Sequence, residues 1–208
     1  MEQSEQKPET YTALILAAGY SGRMGKLKGF LPFDEKRIFL EKIVSEYLTF
    51  GCRQVGVVLN EQGMRLYEKM PLQHKNNITA ILNPAPEKER FFSLQTGLKA
   101  LKPAGAVFLH NVDSPFLKQE VLQYLADNFH KQAYVVPTYQ DEGGHPVLLS
   151  QEIVKALTEA PDYDQNLRVF LQNFAQIKVP VNDPGILTNI NSPEEYEQYF
   201  GKPYHKSL

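Results

Sequence analysis

Short apolar runs separated by helix-length stretches narrow what this chain can fold into more than any other feature. Residues 11–17 (YTALILA), 54–60 (QVGVVLN), 78–82 (ITAIL) and 106–112 (AVFLHNV) are apolar segments rich in strand formers. Runs of that kind read as strands covered on both faces. Between them, residues 38–49 put Phe39, Ile43, Tyr47 and Leu48 at helical spacing, 62–69 read as a polar helix, and 91–101 align Leu94, Leu98 and Leu101 on one face. A further helix is expected over 118–129. Parallel strands need a crossover long enough for a helix, and these stretches supply it. The expected class is three-layer α/β, a mostly parallel sheet with helices on both faces and right-handed crossovers.

Beyond residue 130 the rhythm changes. Strands at 133–138 and 146–149 flank Gln140-Asp141-Glu142-Gly143-Gly144, read as a hairpin insertion whose glycines make the turn. Helices at 151–157 and 166–173 and a strand at 176–181 follow. The last helix starts at Ser192 as N-cap, with Pro193 at the first helical position and Glu194 and Glu195 in the first turn. With no internal repeat and no linker, residues 11–208 read as a single domain. The polar residues 1–10 read as a disordered tail with no signal-peptide character.

Composition excludes some classes of function. A net charge of -2 without a long basic run argues against a nucleic-acid surface, and no window approaches the ~18 apolar residues of a membrane span. Cys52 is the one cysteine. It can form no internal disulfide and no thiolate metal cluster, which fits a reducing, cytoplasmic setting. Its expected role is that of a small buried hydrophobe.

The segment richest in chemistry leaves the first strand at its carboxyl end, where open α/β sheets bind ligands. It reads Leu16-Ala17-Ala18-Gly19-Tyr20-Ser21-Gly22-Arg23-Met24-Gly25-Lys26-Leu27-Lys28. Small residues let backbone N–H groups approach an anion, and Arg23, Lys26 and Lys28 add positive charge, making a phosphate cradle. A P-loop would require glycine at Tyr20 and a hydroxyl at Leu27. A dinucleotide fingerprint also requires glycine at Tyr20. Both motifs fail.

The segment resembles the signature of the MobA-like NTP-transferase superfamily, Leu-Ala-Ala/Gly-Gly-x-Ser-x-Arg-Met-Gly-x-x-Lys, at every specified position. Asn83-Pro84 with Ser93-Leu94 and Gly97-Leu98 is similar to a second block of that family. Gly144-His145-Pro146-Val147 resembles a box of its molybdenum cofactor cytidylyltransferase branch, and residues 188–196 (TNINSPEEY) resemble its closing motif. The resemblance implies a Rossmann-like fold of the nucleotide-diphospho-sugar-transferase type. It also implies a Mg²⁺-dependent nucleotidyltransferase moving NMP from an NTP to a small phosphorylated acceptor, with a molybdoenzyme among its partners. Arg23, Lys28 and Asp113 would be catalytic. Leu16, Ala17, Ala18, Gly19, Ser21, Gly22, Met24, Gly25 and Ser93 would bind nucleotide.

A carboxylate ending a central strand, Asp113, suits a hard cation, although Asp113 and Ser114 also suit a helix N-cap. Asn191, and nearby Asn189, would share the metal where relatives often have aspartates, or would only shape the turn before the last helix. His145 and Arg168 would face the acceptor. The segment Asp164-Gln165-Asn166-Leu167-Arg168 departs from the family's Asp-x-Gly-Ala-Arg, and residues 87–92 (EKERFF) replace a small glycine-bearing loop; Arg90 there either reaches a phosphate or belongs to a solvated helix start. The Ala-Ala-Gly form favours CTP with molybdopterin. A sugar- or polyol-phosphate acceptor, or a nucleotide sensor without turnover, are the alternatives.

Overall fold

The computed structural model describes residues 8–161 and 166–204. Residues 1–7 of the expected tail and the family-departing positions Asp164 and Gln165 lie outside them. Within 8–10, the Thr10 carbonyl already accepts the Ala106 N–H.

The apolar runs form the predicted parallel strands: β1 Tyr11–Ala17, β2 Gln54–Leu59, β3 Ile78–Leu82 and β4 Ala106–Asn111. The crossover helices are α1 Phe39–Phe50, α2 Glu61–Lys69 and α3 Glu89–Leu101, and α4 Gln119–Asp127 follows β4. Then come β5 Ala133–Tyr139, β6 Glu142–Gly143, β7 Val147–Leu149, α5 Gln151–Glu159, α6 Leu167–Leu171, β8 Ala175–Pro180 and α7 Pro193–Phe200. The sheet order is β3-β2-β1-β4-β7-β5-β6, with β8 parallel to the other edge of β5. The expected mostly parallel, two-faced α/β architecture is what forms.

Both faces are covered because β1 alternates between two cores. Ala13, Ile15 and Ala17 join α1 and α4 residues such as Ile43, Tyr47 and Leu122. Leu14 and Leu16 join Leu94, Leu98, Ile153 and Leu157 from α3 and α5. Helix α3 sits close to the sheet because two positions lack a side chain. A Cβ on Gly97 would meet Leu14 at 2.5 Å, and one on Gly56 would meet Leu101 at 2.4 Å.

The hairpin corrects one expectation. Its turn is made by Gln140 (φ 50°) and Asp141 (φ 67°), not by glycines. Both central residues in the left-handed region is the turn that matches strand twist. Thr138 then faces Gly143, while Tyr134 and Val135 face Leu149 and Leu148. The returning arm therefore carries two more residues than β5 over this interval, a bulge at residues 144–146 that re-aims His145. Gly144 is required there for another reason: a Cβ would lie 2.4 Å from the Ile186 carbonyl.

Cys52 is 6% exposed, and burial pushes its thiol up to about 12. It packs with the α1-side core, as expected of a small hydrophobe. Cys52→Ser should lower stability by about 1–3 kcal/mol through burial of a hydroxyl and leave turnover intact; a stable but inactive variant would contradict this. Among the described residues no helix is long and apolar enough to cross a membrane.

Candidate active site

Strand order reverses between β1 and β4, and a ligand crevice is expected outside the carboxyl ends at such a switch point. A pocket of about 460 Å³ opens there. Its walls come from the end of β1 and the glycine-rich loop (Leu16, Ala17, Ala18, Gly19, Ser21, Gly22, Arg23, Lys28). The opposite side comes from Asn111, Val112 and Asp113 after β4, from Pro86, Arg90 and Ser93 around the start of α3, and from Asn191.

The loop is braced from within and from beneath. Ser21 adopts φ 52°, its carbonyl takes the N–H groups of Met24 and Gly25, and its hydroxyl accepts the Lys28 N–H at 3.3 Å. Met24 and Gly25 do not line the pocket. The Met24 side chain is fully buried among Leu31, Phe39, Ile190 and Tyr196, so it anchors the loop from beneath. Tyr204 adds a hydrogen bond to the Met24 carbonyl at 2.7 Å. Asn60, the N-cap of α2, donates to the Ala18 carbonyl at 3.1 Å and so fixes the loop's other end. Asn83 donates to Ser93 Oγ at 2.8 Å, holding that hydroxyl at the pocket wall.

Lys28 is the hub. Its Nζ donates to Asp113 Oδ2 at 3.0 Å and to Asn191 Oδ1 at 2.5 Å. Asp113 Oδ1 is buried and has no hydrogen-bond partner. Asp113 does not cap a helix, since α4 starts at Gln119 behind Lys118. The turn bearing it is fixed from three directions. The Ile190 N–H donates to the Asp113 carbonyl, Ser114 Oγ donates to Asn189 Oδ1 at 2.6 Å, and His110 Nε2 donates to the Ser114 carbonyl at 2.8 Å. A carbonyl only accepts, so His110 carries its proton on Nε2 and takes Tyr47 OH on Nδ1, 2.7 Å away. Burial pushes His110 down to about 4, so it is a neutral strut. Asn189 serves that turn and does not line the pocket; Asn191 does. Ser192 caps α7, as its sequence predicts, and Glu195 completes a capping box with it.

A second cleft of about 920 Å³ adjoins the first, and Arg90 stands in the walls of both. It holds His145 and Arg168 together with Tyr134 and Lys178. Arg90 is exposed by area yet enclosed by the two rims; burial pushes its pKa down while the Asp113 carboxylate pulls it up. His145 Nε2 accepts from Asn111 Nδ2 at 3.0 Å across the boundary between the clefts. Sequence reasoning gave Arg90 an open role and missed Asn111, Pro86, Asn60, Tyr134 and Lys178. Asn111 ends β4 two residues before Asp113, with a turn between them, and that nearness was the available signal.

The first pocket sets three cations, Arg23, Lys28 and Arg90, around a single carboxylate, Asp113, which favours a polyanionic phosphate chain. Residues 13–179 match the MobA-like NTP transferase domain. The chain belongs to the MobA-like NTP transferase family. Its reaction class is nucleotidyl transfer. Similar members include the Escherichia coli molybdenum cofactor cytidylyltransferase, 28% identical over 186 residues that span 88% of this chain and 92% of that protein. The Bacteroides fragilis 2-C-methyl-D-erythritol 4-phosphate cytidylyltransferase is 29% identical over 53% of this chain and 51% of its own length. The fold is shared with the Mycobacterium tuberculosis Rv0371c protein at TM-score 0.76 and 19% identity, covering 93% of this chain and 99% of that one. The MobA-like domain match ends before the closing segment, so Asn191 reaches the pocket, and Tyr204 the loop beneath it, from outside that match.

Proposed function

We propose that this chain transfers CMP from CTP to a small phosphorylated acceptor of the molybdopterin kind, with release of pyrophosphate. The observation carrying this reading is the Lys28–Asp113–Asn191 cluster in the wall of a cationic pocket that adjoins a second cleft lined by Arg90, Arg168 and Lys178 with Asp141 and Glu142. The choice of CTP and molybdopterin draws on the similarity to the Escherichia coli enzyme.

The glycine-rich loop and Arg23 hold the β- and γ-phosphates, and Lys28 offsets charge building on the α-phosphate. A phosphate oxygen of the acceptor, oriented by Arg90, Arg168 and Lys178, bonds to the α-phosphorus as the α–β bridging bond breaks. The acceptor is already an anion, so no residue needs to remove a proton. Positioning and electrostatics carry the rate. The residues fit Mg²⁺: Asp113 Oδ1 is a buried oxygen without a partner, and Asn191 offers an amide oxygen beside it. One carboxylate plus substrate phosphates is a common way to hold this ion. When bound, Mg²⁺ would neutralise phosphate charge.

Asn191→Asp should lower the magnesium midpoint of turnover, because a carboxylate is the stronger ligand for a hard cation. Part of the gain is lost to a tighter pair with Lys28. Asn189→Asp should leave the midpoint unchanged, since Ser114 occupies that oxygen, and lower the melting temperature, because the Nδ2 donation to the Leu187 carbonyl at 3.3 Å is replaced by a carboxylate facing a carbonyl. An unshifted midpoint in Asn191→Asp removes Asn191 from the metal set.

The deciding assay is pyrophosphate release from each of four NTPs against molybdopterin, 2-C-methyl-D-erythritol 4-phosphate and a sugar 1-phosphate. CTP with molybdopterin should turn over fastest. The similarity to the Bacteroides fragilis enzyme favours the polyol phosphate as a second reading. Stabilisation by an NTP with no release for any acceptor would instead mark a sensor.

A further inference from the structure

We propose that Asn111 holds His145 so that Nδ1–H points into the second cleft as a neutral donor, reading an uncharged lone pair on the acceptor molecule. This rests on the assignment of that cleft to the acceptor. The lone pair would belong to a carbonyl, hydroxyl or ring nitrogen, while the acceptor's phosphate falls to Arg90, Arg168 and Lys178.

The two histidines near the site, His110 buried and His145 half-buried, differ in one respect. His110 has both ring nitrogens satisfied, by Tyr47 and by the Ser114 carbonyl. His145 has only one satisfied: Nε2 meets Asn111, and Nδ1 is buried without a partner. An amide NH₂ only donates, so Nε2 accepts and the proton of a neutral ring sits on Nδ1. A buried donor left unmade costs about 1–3 kcal/mol, and native structures rarely leave one without a reason. His145 lines the second cleft with almost no surface of Nδ1 open to it, so an acceptor seated there would satisfy the donor by displacing the atoms that cover it.

The backbone beneath the ring is also fixed. The His145 backbone N–H donates to the Ile186 carbonyl at 2.9 Å, and the missing Cβ at Gly144 lets the arm lie against that same carbonyl. Burial, with Arg90 and His110 adding to it, pushes His145 down to about 3, so it stays uncharged at neutral pH beside Arg90. An uncharged donor adds nothing to phosphate binding that Arg90 does not supply. It discriminates through geometry: a site built around such a hydrogen bond rejects molecules lacking the lone pair more sharply than an apolar wall rejects a wrong shape. The acceptor class is therefore a phosphomonoester carrying a neutral hydrogen-bond acceptor away from its phosphate.

Two measurements test this. Long-range ¹H–¹⁵N correlation on histidine-labelled protein, assigned through the signals lost in His145→Gln, should show His145 as the Nδ1–H tautomer at neutral pH. The Nε2–H tautomer would overturn the proposal without any acceptor being known. Next, the acceptor that best supports pyrophosphate release from the panel above is titrated with wild type, His145→Gln and His145→Asn. Gln keeps a group facing Asn111 and removes the Nδ1 donor; Asn keeps an amide donor near Nδ1. Acceptor KM should rise about tenfold in His145→Gln, one hydrogen bond's worth, and KM for the NTP should stay within about twofold of wild type. His145→Asn should recover part of the loss. Wild type turning over with an unchanged acceptor KM in His145→Gln defeats the proposal alone. Wild type turning over no acceptor in the panel defeats the acceptor reading and the proposal together.

Discussion

Asp113→Asn should lower kcat by about 10²–10³-fold, the loss seen when one preorganised charge partner of a transition state is removed. Asp113 is the one carboxylate lining the first pocket among the described residues. The substitution keeps its shape and its backbone bond to Ile190 but removes the charge that faces Lys28 at 3.0 Å. It also replaces the buried, unpartnered Oδ1, the strongest protein oxygen available to a divalent cation there. NTP affinity should change little, because the triphosphate carries cation-binding oxygens of its own. Stability should change little too, since an asparagine oxygen still accepts from Lys28 Nζ. The measurement is pyrophosphate release against magnesium, with a melting curve alongside. A variant with normal kcat and an unmoved magnesium midpoint would remove Asp113 from the reacting centre.

Lys28→Ala should cost about 10²-fold or more in kcat/KM for the same reason, with an added structural signature. Lys28 joins Asp113 and Asn191, which lie 85 and 163 residues further along the chain. Its removal leaves a half-buried carboxylate facing an amide oxygen with no cation between them. The melting temperature should therefore fall, and added Mg²⁺ should restore part of it by linkage. Arg23→Ala is the control. Arg23 is exposed, so that variant should lose comparable activity while melting like wild type. Lys28→Ala with unchanged turnover would show that the cluster orders the loop and takes no part in transfer. A melting temperature unaffected by Mg²⁺ in both proteins would argue against a cation at Asp113.

The sequence by itself determined the strand positions, the two-faced helical cover and the capped final helix. Each rests on interactions within a few residues. Burial on both faces demands a continuous apolar run such as 106–112, helical spacing demands Leu94, Leu98 and Leu101, and Ser192 and Glu195 satisfy each other's backbone N–H groups within one turn. The glycine-rich loop was legible for the same reason, since small residues after the first strand are a local requirement for backbone approach to an anion.

Only the tertiary structure decided which side chains share a pocket. Met24 lies within the loop motif, yet its side chain goes to the aromatic cluster beneath, because the closing helix α7 docks there. Asn189 and Asn191 are two residues apart and read alike, but one braces Ser114 and the other meets Lys28. Arg90 read either as a phosphate contact or as part of a charged helix start; the close seating of α3 over Gly56 and Gly97 accompanies its place in the walls of both clefts. The left-handed turn at Gln140 and Asp141 displaced the glycines from the role their type suggested, since strand twist and the contact at Ile186 set the backbone there. Spacing along the chain fixes the direction in which a side chain leaves its own element. What it meets is set by the register and docking of elements far away in sequence.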